Sequence, residues 1–319
     1  MKYLCNDLDK KNFRIGVFIF FILAIVTRFF YISSDSLWLD EGLSIRLASY
    51  PFEKVLTEAL PVDYNPPLYL FSLHFWMKIF GNSETATRSM SAIFSILMVP
   101  LLALTGKQLF NRKITLIALA IFVFSPFQVY YAQEARAYSL LNLLSLASVY
   151  AFIRLIENPN RCNKTGYVLA TFLLIHTHIY GWFIVLFENV WMLFISYKEK
   201  PAIKFIHWIL LQGILLLLLI PYSTVLIPLV LGIPKQLWIN PPSLLHLGGT
   251  FVQFCGSILL CAMFCGLILY LMWRSIYKKD FMEKKLLSTI FTITWIVIPV
   301  FIPFIFSLVL TPVYLTRYP

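Results

Sequence analysis

The sequence predicts an all-α polytopic membrane protein, a bundle whose helices cross the bilayer about nine times. Of its 319 residues, 60% are hydrophobic and only 13% are charged, and the mean hydropathy is +0.79. A soluble domain carries roughly 25% charged residues. The net charge of +11 could indicate nucleic-acid binding, but the basic residues fall between apolar runs, where they orient a membrane protein. We therefore predict a single membrane domain over residues 1–319 and no nucleic-acid partner.

The first apolar run, Ile15–Ile32, predicts a membrane anchor. Basic residues within Lys2–Arg14 precede it, which predicts a cytoplasmic N-terminus in the inner (plasma) membrane. The run lacks a small-residue cleavage site, which favours an uncleaved anchor over a signal peptide. Arg28 lies near the far end of the run, and we expect its side chain to snorkel outward.

Residues 33–84 predict a long extracytoplasmic loop that begins with an amphipathic helix on the membrane surface. Ser36 or Asp35 can cap this helix, and Pro51 can end it. Its apolar face would be formed by Leu39, Leu43 and Leu47.

The run Leu68–Phe80 predicts a second helix in this loop, lying in the outer interface. As a helix it is only about 20 Å long, too short for a hydrocarbon core of ~30 Å. With this helix lying flat, most basic residues of the later loops fall on the cytoplasmic side; if it crossed, that bias would invert. The remaining spans are predicted at Arg88–Thr105, Ile114–Tyr131, Tyr138–Ile156, Gly166–His178, Trp182–Tyr197, Phe205–Pro221, Phe251–Trp273 and Leu286–Leu310.

This topology gathers acids and cations at the outer face. Charges at a membrane boundary lose hydration, so they tend to be paired or functional. A carboxylate can accept a proton from an attacking hydroxyl, and cationic side chains can bind a phosphate. Such a set predicts chemistry on a phosphorylated lipid. It comprises Asp40, Glu41, His74, Lys78, Glu134, Arg136, Tyr138, His176, His178 and Arg317.

Five sequence blocks carry a family resemblance. The acidic motif Ser36–Gly42 (SLWLDEG) and the block Asn65–Ala92 (NPPLY, then FG, then RSMSA) come first. Ser125–Tyr138 (SPF, then YAQEARAY), His176–Tyr180 (HTHIY) and Pro312–Tyr318 (PVYLTRY) follow. In this order they resemble bacterial family 39-type glycosyltransferases, membrane enzymes of the GT-C class related to protein O-mannosyltransferases and to the lipid A aminoarabinose transferase. The resemblance extends from about residue 15 to the last residue.

The resemblance implies a hexosyl or pentosyl transferase that takes a sugar from a polyprenyl-phosphate donor. The acceptor would be a hydroxyl of a lipid, glycan or protein at the extracytoplasmic face. Asp40 would be the general base with Glu41 beside it, and Glu134 and Arg136 would line the same site, Arg136 near the donor phosphate. The outer-face set adds His74, Lys78, Tyr138 and Arg317 as further candidate substrate-binding residues. Family members usually continue beyond the last block, so a short or truncated member is expected. No cofactor is predicted, and a divalent metal is left open.

Other interpretations compete at most of these positions. Asp40 and Glu41 also suit the first turn of a helix, where the dipole favours negative charge. Glu134 and Arg136 could form a loop ion pair of little energetic value. Lys78 could snorkel to the headgroups. The His176 and His178 pair more often packs or hydrogen-bonds than binds a metal.

Two other function classes remain open at the level of sequence. A transporter or lipid flippase would place polar residues at the membrane midplane on broken helices, often with an inverted repeat. Here the polar groups are predicted at one face and no repeat is apparent, which favours the enzyme. A catalytically inactive membrane scaffold is the third alternative.

Overall fold

A computed structural model describes residues 2–55, 57, 65–198, 201–220, 240–266, 270, 283–309 and 312–316. Within these ranges every regular element is helical, so the predicted all-α class is confirmed. The first seven helices are α1 (Lys2–Phe29), α2 (Leu39–Ala48), α3 (Phe52–Lys54), α4 (Leu68–Phe80), α5 (Glu84–Leu109), α6 (Arg112–Phe124) and α7 (Pro126–Ala132). They are followed by α8 (Tyr138–Glu157), α9 (Arg161–Ile175), α10 (Gly181–Lys198), α11 (Phe205–Leu218), α12 (Leu244–Cys255), α13 (Ile258–Gly266) and α14 (Glu283–Val309).

Four helices in the described ranges are long and apolar enough to cross a membrane. They are α1 from Asp9 onward, α5, α8 and α14 from Leu286 onward. Two bent pairs, α6 with α7 and α12 with α13, raise the number to as many as 6. A polytopic membrane protein is thereby confirmed, while the count of about nine spans stays a prediction.

The predicted continuous span over residues 114–131 is two helices instead. α6 and α7 meet at an angle of 56° around Ser125. Pro126 opens α7, and a residue that precedes proline is disfavoured in the helical conformation, so Ser125 is extended. The Ser125 hydroxyl accepts a hydrogen bond from Gln128 N and thereby caps α7. The predicted span over residues 251–273 is likewise broken at Gly256, where α12 and α13 bend by 88° and φ is +82°; its last part lies mostly outside the described residues.

Arg28 does not snorkel, so that prediction is wrong. The residue is fully buried, and its guanidinium donates to the carbonyl oxygens of Phe122 (3.0 Å) and Val123 at the end of α6. The helix break explains this placement. Since Pro126 has no N–H, the Phe122 carbonyl has no intrahelical donor, and Arg28 supplies one.

The second half of the bundle is joined by a buried polar network around Glu188 on α10. Ser148 Oγ on α8 donates to one carboxyl oxygen (2.7 Å), and the hydroxyl of Tyr167 on α9 donates to the other (2.9 Å). Thr171 lies 2.8 Å from Ser148, and Gln212 on α11 donates to Tyr167 (3.1 Å). Four helices thus share one carboxyl group whose oxygens are both hydrogen-bonded, as burial of a polar group requires.

The predicted helix Leu68–Phe80 is observed with the same bounds as α4, and its place in the outer interface stays a prediction. It packs between α2 and α5, and His74 Nδ1 donates to the carbonyl of Ala48 (2.7 Å) at the end of α2. α2 therefore lies on α4 with its first turn directed toward the start of α5, where the candidate site is found.

Candidate active site

The first turn of α2 separates the two adjacent acids. Trp38, rather than the expected Ser36 or Asp35, is the N-cap, and its backbone is extended. Successive helical residues point about 100° apart. Glu41 is accordingly directed into the protein with no exposed surface, while Asp40 is half-buried at the rim.

Glu41 forms a two-pronged ion pair with Arg88 in the first turn of α5. Arg88 Nε donates to Oε1 (2.8 Å) and Nη2 donates to Oε2 (2.7 Å). The same carboxylate accepts from the backbone N–H of Ala135 (2.8 Å) and of Trp38 (3.3 Å). Burial by itself would raise the pKa of Glu41, but these four hydrogen bonds and the charge of Arg88 outweigh it and lower the pKa below 4.5. Glu41 therefore stays ionised at neutral pH.

Arg88 uses its remaining donors on the chain that leads into α2. Its guanidinium donates to the carbonyl oxygens of Ile32 (3.1 Å), Asp35 (2.7 Å) and Ser36 (3.3 Å). Because these groups lie 52 to 56 residues away in sequence, one side chain fixes the path from α1 to α2. The Glu41–Arg88 pair is thus a structural clamp.

The loop between α7 and α8 brings Arg136 against the same turn. Arg136 Nη1 donates to Ser44 Oγ (2.9 Å) and lies 3.5 Å from the backbone oxygen of Asp40. Ser91 Oγ donates to the Arg136 carbonyl (3.3 Å), and the guanidinium lies 6.0 Å from the ring centre of Tyr138. Arg136 is buried, whereas Asp40 reaches the surface, so a buried cation lies against the helical turn that bears the rim acid.

Two further residues of that loop have defined places. Glu134 is buried, and its carbonyl accepts from Arg136 N (2.8 Å). Gln133 Nε2 donates to the carbonyls of Arg28 (3.1 Å) and Phe30 (2.7 Å), which satisfies the end of α1. The loop therefore contacts both helices, α1 through the Gln133 side chain and α2 through the backbone amide of Ala135.

Hydrogen bonds connect all five sequence blocks. Glu41 joins the first block to the second through Arg88 and to the third through Ala135. Leu68 N in the second block donates to the carbonyl of His176 in the fourth (3.0 Å), and the Tyr180 hydroxyl donates to the carbonyl of Val313 in the fifth (3.4 Å). The five blocks are therefore linked in pairs within the fold.

The structure brings together Asp40, Glu41, Glu134, Arg136 and Tyr138, and it sets the other candidates apart. His74 contacts the far end of α2, about 12 Å along that helix from Asp40. Lys78 is exposed, with its ammonium 5.9 Å from the ring centre of Phe75. Arg317 lies outside the described residues.

The described residues contain no cluster of three or more side chains of the metal-binding kind. His178 accepts a hydrogen bond from Tyr180 N (3.2 Å), and His176 Nδ1 lies 2.8 Å from the Phe172 carbonyl. Both rings are thus used in local hydrogen bonds.

Sequence reasoning missed two parts of this region. The sequence places Arg88 at the start of a predicted span but indicates no partner for it, and it gives no role to Ser44. A signal existed for Arg88, because an arginine in the first turn of an apolar helix must find a carboxylate or carbonyl groups if it is buried. No signal existed for Ser44, since its role depends only on the proximity of Arg136.

Two comparisons with known proteins bear on the family of this chain. No curated protein matches the chain. A family model described as dolichyl-phosphate-mannose-protein mannosyltransferase matches residues 64–227, which include Arg88, Glu134 and Arg136 and begin after Asp40. The match covers just over half of the chain and supports a GT-C-type membrane glycosyltransferase. The chain therefore belongs to the dolichyl-phosphate-mannose-protein mannosyltransferase family.

Proposed function

We propose that this glycosyltransferase moves a sugar from a polyprenyl-phosphate donor to an acceptor hydroxyl on the extracytoplasmic face. Mannose is the sugar that we propose first. The family supports a membrane glycosyltransferase. The observation that carries the finer proposal is the contact between the Arg136 guanidinium and the α2 turn that bears Asp40 (3.5 Å to the Asp40 carbonyl). A candidate base and a cation carried by neighbouring segments at the edge of a bundle suit sugar transfer from a lipid phosphate.

In the proposed reaction the acceptor oxygen attacks the anomeric carbon of the sugar. Asp40 takes the hydroxyl proton as the new carbon–oxygen bond forms. The bond between that carbon and the phosphate oxygen breaks, and its electron pair leaves with the polyprenyl phosphate. Arg136 stabilises the negative charge that develops on the departing phosphate. Attack from the side opposite the leaving group inverts the configuration of the carbon.

Glu41 and Arg88 serve this reaction by positioning, not by contact with substrate. Their pair is buried and saturated with hydrogen bonds, so neither can accept the acceptor proton. It fixes the start of α2, which carries Asp40, against Ala135, the neighbour of Arg136. Catalysis is sensitive to such placement, because an error of about 1 Å can cost ~100-fold in rate.

The orientation of the protein follows the positive charges. Basic residues precede the first span, which favours a cytoplasmic N-terminus in the plasma membrane. The end of α1 that meets Gln133 then lies near the extracytoplasmic boundary, together with Asp40 and Arg136.

The test is sugar transfer by purified protein in sealed proteoliposomes, with radiolabelled polyprenyl-phosphate mannose and a membrane-extract acceptor. Asp40→Asn should lower the turnover by about 10²–10⁴-fold, the usual contribution of a general base. Arg136→Gln should lower it by about 10²–10³-fold, and Arg136→Lys should restore part of the loss because it keeps the charge. Glu53→Gln, an exposed carboxylate in the same loop, is the matched control and should keep wild-type turnover.

Two results would contradict the proposal. Turnover by folded Asp40→Asn at the wild-type rate would remove Asp40 from the mechanism. Movement of labelled lipid across the membrane without any sugar transfer, unchanged by either substitution, would assign the protein to the transporter class.

A further inference from the structure

A second charged region lies at the opposite end of the bundle from Asp40. It is a groove of about 590 Å³ formed by the first part of α1, the last turns of α5 and the start of α6. Along α1, Lys10 lies about 27 Å from Arg28, which marks the end near the candidate active site. That separation is close to the ~30 Å thickness of a hydrocarbon core, so the groove lies at the other membrane boundary.

The lining of the groove combines four cations with an apolar wall. Its residues are Lys10, Phe13, Arg14, Val17, Pro100, Ala103, Leu104, Lys107 and Arg112. The cations come from three helices and converge on one recess. Arg112 pairs with Asp9, while Arg14 and Lys107 add positive charge to the recess.

Close packing brings together the three helices that carry these cations. A Cβ atom on Gly16 would lie 2.8 Å from a Leu116 side-chain atom, and one on Gly106 would lie 2.8 Å from Thr115. The two glycines therefore let α1 and α5 approach α6 closely. Pro100, on the groove side of α5, removes one intrahelical N–H.

We propose that this groove binds the phosphate headgroup and upper acyl chains of an anionic phospholipid from the leaflet opposite the candidate active site. The cations match the phosphate, and the apolar wall (Phe13, Val17, Leu104) matches the chains at the depth where headgroup and hydrocarbon meet. A volume of about 590 Å³ suits a small lipid headgroup. A soluble anion would leave the apolar wall without a partner.

Scattered basic residues at this boundary would orient the protein without forming a site. The chain offers a matched comparison for this alternative. Arg14 and Lys107 line the groove, whereas Lys11 and Lys113 are exposed at the same end of the bundle but do not line it. All four side chains reach solvent, so their substitution should not affect folding.

The experiment measures bound lipid by native mass spectrometry of the full chain in detergent at 0.15 M salt, a concentration that screens charges beyond ~8 Å. Phosphatidylglycerol is titrated against phosphatidylcholine. Each contacting cation contributes about a five-fold affinity, so Arg14→Gln/Lys107→Gln should weaken phosphatidylglycerol binding by ~30-fold. Lys11→Gln/Lys113→Gln should weaken it by less than ~3-fold.

Competition between phosphatidylglycerol and glycerol 1-phosphate distinguishes a lipid site from a site for a soluble anion. Failure of this headgroup analogue to displace phosphatidylglycerol at a thousand-fold excess supports the lipid site. Displacement at equal concentration would overturn it in favour of a soluble phosphate site. Equal losses in the two double variants would overturn it in favour of general surface charge, and no loss in either variant would show that these cations do not hold the lipid.

Discussion

Replacing Glu41 by Gln removes the negative half of the clamp while the shape of the side chain stays nearly the same. The Gln oxygen can still accept one hydrogen bond, but its NH₂ group would face a donor of Arg88. The Arg88 side chain is only 7% exposed and would be left buried without a counter-charge. Loss of one partner of a buried pair costs about 3–5 kcal/mol. Because Arg88 keeps its bonds to three backbone carbonyls, we expect the lower end, ~3 kcal/mol.

The assay is the thermal midpoint of the detergent-solubilised protein, followed by size-exclusion chromatography with fluorescence detection. A loss of ~3 kcal/mol corresponds to a fall of roughly 6 °C. The double variant Glu41→Gln/Arg88→Gln should recover part of this loss, because it removes the unpaired charge together with its partner. Asp40→Asn and Glu53→Gln change neighbouring carboxylates outside the clamp and should shift the free energy of unfolding by less than about 0.5 kcal/mol.

The pattern across these variants separates positioning from catalysis. Asp40→Asn should lose turnover and keep its thermal midpoint, whereas Glu41→Gln should lose both. The reasoning would be refuted if folded Glu41→Gln had the thermal midpoint of the wild type. It would also be refuted if the double variant lost, relative to the wild type, the full sum of the losses of Glu41→Gln and Arg88→Gln.

Three further predictions concern stability and use the same thermal assay. The folded-state pKa of Glu41 is lowered, so its contribution to stability is complete at pH values above its ordinary pKa of 4.5 and disappears as the pH falls through the lower folded-state pKa. Between pH 5 and pH 3 the thermal midpoint of the wild type should therefore fall further than that of Glu41→Gln. Parallel falls in the two proteins would contradict this. Arg28→Gln should cost about 1.5–3 kcal/mol through loss of charge-assisted bonds to the end of α6, with Arg28→Lys intermediate, and an unchanged midpoint would show that the buried guanidinium does not stabilise the break. Gly181→Ala should cost about 1–3 kcal/mol, since its Cβ would lie 2.9 Å from the backbone oxygen of Leu174; Gly166→Ala, inside α9 with open space, should be neutral or stabilising by up to ~1 kcal/mol, and the reverse order would refute the packing argument.

The helical class and several element positions were readable from the sequence because they depend on local physics. The bounds of α4 coincide with the predicted run Leu68–Phe80, and α8 begins at Tyr138 as predicted. Apolar runs bounded by Pro, Gly and charged residues specify such helices without knowledge of their neighbours.

Where local signals competed, the sequence alone was less reliable. The dipeptide Ser125-Pro126 lies inside an apolar run, and the hydropathy pattern favoured a continuous span there. The proline rule prevailed and produced the bend of 56°. That bend then determined the place of Arg28, since the carbonyls left at the end of α6 attract its guanidinium.

By itself the sequence determined that this protein is a helical membrane protein and that acids and cations recur in blocks resembling one glycosyltransferase family. Only the tertiary structure decided that the two adjacent acids have different surroundings, Glu41 enclosed by Arg88 and Ala135 and Asp40 at the rim beside Arg136. The physical reason is distance along the chain. Helix formation is set by neighbours within a few residues, whereas the partner of Glu41 lies 47 residues away in one case and 94 in the other, and such pairings exist only once the helices have packed.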